Sequence, residues 1–118
     1  MANAALFIGW GEPVRGRERK SLQVLNEALA YFRGQQEQGR IESFEPVLLE
    51  PHGGDLTGFL FVRGDQQTLL SLTGGEEFQR LEARSRLIVD NWGVVPAVIG
   101  EALPAQLAVY QQQIEELT

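Results

Sequence analysis

The chain has 118 residues, with ten Lys or Arg, sixteen Asp or Glu and one histidine, for a net charge of −6 at neutral pH. That length makes one domain able to bury a real core, and the absence of cysteine excludes disulfide scaffolds, Cys-ligated zinc, iron–sulfur clusters and thiol catalysis. The acidic balance argues against a nucleic-acid or anionic-membrane binder, since both need net positive surface, and no stretch approaches the roughly 20 apolar residues of a membrane helix.

The opening residues, MANAALFIGWGEP, have no basic leader region and an apolar run only as long as one strand, which predicts a soluble cytoplasmic protein. Ala5 to Trp10 is a first strand without a polar side chain, so both of its faces need cover and it belongs inside a sheet. Gly11 to Gly16 is a loop. From Arg17 to Gln38 the apolar period becomes helical, with Leu22, Leu25, Leu29 and Phe32 on one stripe and Gly39 placed to stop the helix. Ile41 to Glu50 and Leu56 to Gly64 read as a hairpin reversing at Pro51 to Asp55, where Gly53 and Gly54 can take positive φ and Pro51 ends pairing for want of an N–H. Asp65 caps a short helical turn through Leu72, and Thr73-Gly74-Gly75 interrupts it. A second piece, Glu76 to Val89, buries Phe78, Leu81 and Ile88 while Arg80, Arg84 and Arg86 stay solvated. Trp92 to Ile99 is a fourth strand, which Pro96 confines to an edge or to a position where its missing N–H faces no partner. Leu103 to Leu117 closes as an amphipathic helix with Leu107, Tyr110, Ile114 and Leu117 in line.

The order β-α-β-β-α-β plus a terminal helix is that of a ferredoxin-like α+β fold, a single domain over residues 1–118. Right-handed crossovers put both main helices on one face of a four-stranded antiparallel sheet. Because the first and third strands are apolar on both sides, the other face also needs cover, and a homodimer packed back to back through it is the simplest one. In this layout residues 5 to 101 resemble the dimeric α+β barrel superfamily, which includes YCII-like proteins, muconolactone-isomerase-like enzymes and cofactor-independent monooxygenases. The resemblance implies a cavity between sheet and helices for small, often aromatic or anionic, ligands, and no cofactor is expected. YCII-like proteins share a histidine on the first helix and an aspartate near the second. The first helix here has no histidine, so that pair does not carry over. In Gly9-Trp10-Gly11 and His52-Gly53-Gly54-Asp55 the chain resembles a bacterial family with no activity attached to it.

Three motifs are weak. Gly11 to Gly16 has the two-glycine spacing of a phosphate-binding loop, but Arg17-Glu18 stands where such a loop has Lys-Ser or Lys-Thr, and Glu12 would repel phosphate. His52-Gly53-Gly54 is similar to the oxyanion loop of esterases, yet no Gly-x-Ser-x-Gly elbow accompanies it. One imidazole and no EF-hand spacing give no expected metal site.

Two features stand out more. Arg15, Arg17, Arg19 and Lys20 gather four of the ten basic residues at a helix start, where the dipole disfavours cations by roughly 0.3–1 kcal/mol each. Either acidic groups offset them (Glu12, Glu18 or another chain), or an anion does, held by arginine and free helix N–H groups. His52 with Asp55 is the candidate catalytic pair, against a structural role for the histidine in the hairpin. Trp10 and Trp92 read as core or dimer contacts, or as a stacking wall for a ligand. Two functions are therefore expected. One is a homodimer whose cavity binds or transforms a small organic, including anionic, molecule through Trp10, Arg15, Arg17, Arg63 and the His52–Asp55 pair; the other is a non-catalytic structural or regulatory dimer without a ligand.

Overall fold

A computed structural model describes residues 2–118, which form β1 (Ala4–Trp10), α1 (Glu18–Glu37), β2 (Ser43–Leu48), β3 (Gly58–Gly64), α2 (Gln66–Gly74), α3 (Glu76–Arg86), β4 (Gly93–Val98) and α4 (Ala102–Leu117). The strands make one sheet in the order β2-β3-β1-β4, and every neighbouring pair is antiparallel. This is the expected ferredoxin-like frame with a C-terminal helix added. Both edge strands carry a proline, Pro46 in β2 and Pro96 in β4, whose missing N–H groups help to blunt the edges.

The hairpin forms, with a longer connection than the sequence suggested. Pairing closes at Leu48 opposite Gly58, Leu49 N–H donates to Thr57 O at 2.9 Å, and of the two turn glycines only Gly53 adopts positive φ, at 83°.

Antiparallel partners share a face, so the register sorts the sheet. Leu6 and Ile8 join Leu60 and Val62 beneath the helices, and Phe7 joins Phe61 and Val95 on the opposite side. β3 alternates strictly, with Leu60 and Val62 buried and Phe59, Phe61 and Arg63 partly exposed. The core lies on the helix side, where β1 and β3 meet Ala28 and Phe32 of α1, Leu69 and Leu72 of α2, and Phe78 of α3.

Helix α1 buries Val24, Ala28, Phe32 and Gln35, a stripe rotated from the predicted Leu22, Leu25, Leu29 and Phe32. The leucines mark one flank of the helix, whereas the side turned to the core carries the small Ala28 at its centre, and Leu22 is 63% exposed. The helix stops where Gly39 takes φ 76°, with Gly39 N–H donating to Gln36 O and Arg40 N–H to Gln35 O, the paired bonds of a Schellman end. Asp65 caps α2 by accepting from Thr68 N–H at 3.2 Å. Gly75 ends α2 and begins α3, dividing the second crossover as expected.

Helix α4 forms over the predicted span, but none of its residues is buried. The radius of gyration is 16.4 Å, against roughly 13.5 Å for a compact chain of this length. α4 projects from the body.

Candidate functional site

Between the sheet and helices α1 and α3 lies a cavity of about 190 Å³. Ile8, Trp10 and Leu60 form its floor, Leu25 and Ala28 its α1 wall, Phe78, Leu81 and Ser85 its α3 wall, and Ile88, Val89 and Trp92 its end. It opens past Leu22 and Leu48, both largely exposed.

Local chemistry builds this shape. Trp10 pairs with Gly58 across β1 and β3. A Cβ at Gly58 would lie 2.8 Å from Trp10 Cζ2 and 2.7 Å from Val47 O, so only glycine lets the indole lie flat there. The chain after β1 zips onto the chain after α3. Gly11 N–H donates to Asp90 O at 2.7 Å, Asp90 N–H to Glu12 O at 2.9 Å and Val14 N–H to Ile88 O at 2.8 Å, and this closes the end that holds Ile88, Val89 and Trp92. Outside the cavity Arg84 clamps α3 to α1, its Nε and Nη2 donating to the two carboxylate oxygens of Glu27 at 2.8 and 2.9 Å. The Arg84 hydrogen bonds hold the Glu27 carboxyl below its ordinary 4.5, against a smaller opposing effect of burial. Burial pushes the Tyr31 hydroxyl above its ordinary 10.0, and the charge of Glu77 adds to the effect.

The polar wall is small, comprising Ser21, Thr57, Glu82 and Ser85, and the Ser85 hydroxyl already donates to Leu81 O at 2.8 Å. No imidazole or guanidinium lines the cavity. It offers dispersion, apolar burial and aromatic contact, without a paired acid and base.

Of the residues singled out in the sequence, Trp10 and Trp92 line the cavity and the charged ones lie elsewhere. Arg63 lies on the opposite face of the sheet because strand parity alternates along β3; there it stands 3.5 Å from Glu45 Oε1, with its guanidinium 4.8 Å from the centre of the Phe61 ring. Arg15 and Arg17 are exposed before α1, and among the described residues neither reaches a carboxylate. The negative group at this helix start is Glu18, whose Oε1 accepts from Gly16 N–H at 3.1 Å. His52 folds back on its own turn: Nδ1 accepts from Gly54 N–H at 3.2 Å, and Nε2 lies 2.8 Å from Leu56 O, so the proton sits on Nε2. With both ring nitrogens taken by backbone and Asp55 not bonded to it, the expected pair is not assembled. Sequence reasoning passed over Ala28 and Ser85, and the signal for them was present. Small residues on two facing helices, among large apolar neighbours, leave space between them.

Among the described residues no cluster suited to a metal ion occurs, and no helix is long and apolar enough to cross a membrane. No protein-family model matches the chain, and no curated protein sequence matches it. Solved structures do. A dimeric protein of unknown function and ferredoxin-like fold from Bacteroides fragilis is 14% identical over 81% of this chain and 96% of its own, with a TM-score of 0.55. The hydroxynitrile lyase of Passiflora edulis is 10% identical over 86% of this chain and 97% of its own, with a TM-score of 0.63. SnoaB, a cofactor-independent oxygenase from Streptomyces nogalater, is 15% identical over 87% of this chain and 99% of its own, with a TM-score of 0.54. At such identities the likeness is one of fold, and the fold is the ferredoxin-like α+β arrangement.

Proposed function

We propose that the protein is a homodimer, joined through the helix-free face of the sheet, and that its cavity binds a small, neutral, apolar molecule of about single-ring size. The observation that carries this reading is the apolar cavity itself, with Trp10 and Trp92 in its wall. At about 24 cal/mol per Å³, a closed void of 190 Å³ costs on the order of 4–5 kcal/mol relative to a filled core, an upper bound because the mouth is open. A void of about 150 Å³ with a similar lining stays dry and takes up benzene, so the size suits one ring. An anion fits poorly here: burying a charge without a partner is costly, and no cation reaches the wall.

The dimer rests on the other face, where Phe7, Phe59, Phe61, Val47 and Val95 lie together without a covering helix and Phe7 stacks on Phe59 at 4.9 Å between ring centres. The Bacteroides neighbour is itself dimeric. Structures of this fold include a lyase and an oxygenase, so fold does not select a chemistry. The reading is therefore one of binding.

The chain's only two tryptophans both line the cavity, which makes intrinsic fluorescence the assay. Titration with toluene is expected to give a saturable change that Trp10→Phe roughly halves, and benzoate is expected to give none. No response to toluene or to other neutral single-ring compounds would leave the structural, ligand-free dimer as the function. Light scattering is expected to give the mass of a dimer.

A further inference from the structure

Helix α4 carries an apolar stripe that its own chain does not cover. Leu103, Leu107, Tyr110, Ile114 and Leu117 follow one another in alternating steps of four and three residues. That is the 3.5-residue period of a seam between two helices, rather than the broader face a helix lays on a sheet. Their exposures run from 40% at Ile114 to 84% at Leu117. Only the first turns approach the body, where Ala102, Ala105 and Val109 share a groove with Val98 and Leu70. A lone helix of this length is marginal in water, so a partner is needed to hold it.

We infer that α4 is an arm that pairs, antiparallel, with α4 of a second copy of this chain. The stripe is nearly symmetric about Tyr110, with Leu107 and Ile114, then Leu103 and Leu117, on either side. Such a stripe is self-complementary under a two-fold axis, as an isologous contact requires. The flanks are mostly uncharged, with Gln106, Gln111, Gln112 and Gln113, so two copies meet without like-charge repulsion along the middle of the seam. Antiparallel pairing also keeps the two acidic Glu115-Glu116 ends about 20 Å apart. A lipid surface fits less well, because membrane-surface helices set Lys and Arg on their polar face and α4 has neither. The arm leaves β4, whose Val95 and Ala97 belong to the proposed dimer face, so the two surfaces adjoin. The arm's pairing does not depend on the sheet-face dimer.

Hydrogen exchange on the full chain tests it. Amides of 103–117 are expected to exchange more slowly as protein concentration rises, and Leu107→Glu combined with Ile114→Glu is expected to abolish that protection while β1 and β3 stay protected. The chain has no cysteine, so single cysteines report geometry cleanly. Tyr110→Cys is expected to form an interchain disulfide on oxidation and Leu117→Cys is not. Fast exchange of α4 at every concentration, protection unchanged in the double variant, protection that appears only with anionic vesicles, or crosslinking at 117 instead of 110 would each overturn the inference. Failure of the sheet-face dimer reads differently: Phe59→Asp added to the Leu107→Glu, Ile114→Glu chain would leave the mass unchanged, while the α4 exchange pattern of the wild type persisted.

Discussion

Replacing Ala28 with leucine turns the existence of the cavity into a question of sign. Ala28 lies at the centre of the α1 stripe, 8% exposed, with its side chain on the wall of the 190 Å³ space. Leucine adds three carbons, worth about 2.4 kcal/mol if all are buried at ~0.8 kcal/mol per methylene. Ordering the new side chain costs about 0.5–1 kcal/mol. The net expectation is a gain of about 1.5 kcal/mol, or a rise of roughly 5 °C in Tm for a domain of this size. In a core that is already full, the same insertion forces side chains off their rotamers and costs about 1–3 kcal/mol. Thermal unfolding followed by circular dichroism therefore separates the cases without any ligand. The same variant is expected to lose the fluorescence response to toluene, because the leucine occupies the binding space. A fall in Tm would refute the cavity, and a rise in Tm with an undiminished toluene response would refute its use as the binding site.

Strand parity predicts that Phe59→Asp, added to a chain whose α4 stripe is broken by Leu107→Glu and Ile114→Glu, yields a folded monomer by light scattering, whereas Val62→Asp, at a position with 0% exposure, abolishes the cooperative unfolding transition because its charge is buried without a partner. The Glu27–Arg84 clamp contributes at most about 1 kcal/mol, as an exposed pair. Because the folded carboxyl titrates below its ordinary 4.5, that contribution is complete above this value and disappears as pH falls through the lower folded one; wild type and Glu27→Gln should accordingly differ in Tm at neutral pH and converge in acid. Arg17→Ala is expected to leave Tm within the effect of ordinary surface changes, about 0.5 kcal/mol, and a larger loss would show that Arg17 has a partner in the assembly. Gly58→Ala is expected to displace Trp10, read as a changed emission spectrum together with a stability loss of about 1–3 kcal/mol.

The frame was legible because its signals are local. The two-sided apolar run of β1, the β2–β3 hairpin, the Asp65 cap, the Gly39 stop and Pro96 at an edge each depend on a few neighbouring residues, and each forms, the hairpin alone with a longer connection than expected. The site was less legible because it depends on parity and on packing across the chain. Arg63 looked like a ligand contact until the pairing of β3 set Leu60 and Val62 inward and turned it to the other face. His52 looked like a base, since nothing in a linear sequence shows that both ring nitrogens are taken by Gly54 and Leu56. The α1 stripe was read from its leucines, whereas Ala28 is the residue that leaves room.

Parity also joins the two proposed surfaces. Ile8 and Leu60 floor the cavity, and their chain neighbours Phe7 and Phe59 point through the sheet to the face proposed for the partner. Close-packed strands transmit displacement rather than absorb it, so a ligand pressing on Ile8 and a partner pressing on Phe7 act on one backbone from opposite sides. Trp10 extends the link: it sits on Gly58, and its carbonyl accepts from Thr57 N–H at 2.8 Å at the end of the hairpin loop that His52 pins. The loop that His52 pins and the glycine beside the indole both adjoin Trp10, and neither His52 nor Gly58 lines the cavity. This accounts for why the two motifs that stood out in the sequence, Gly-Trp-Gly and His-Gly-Gly-Asp, converge on one end of the sheet while only one of their side chains, that of Trp10, lines the cavity.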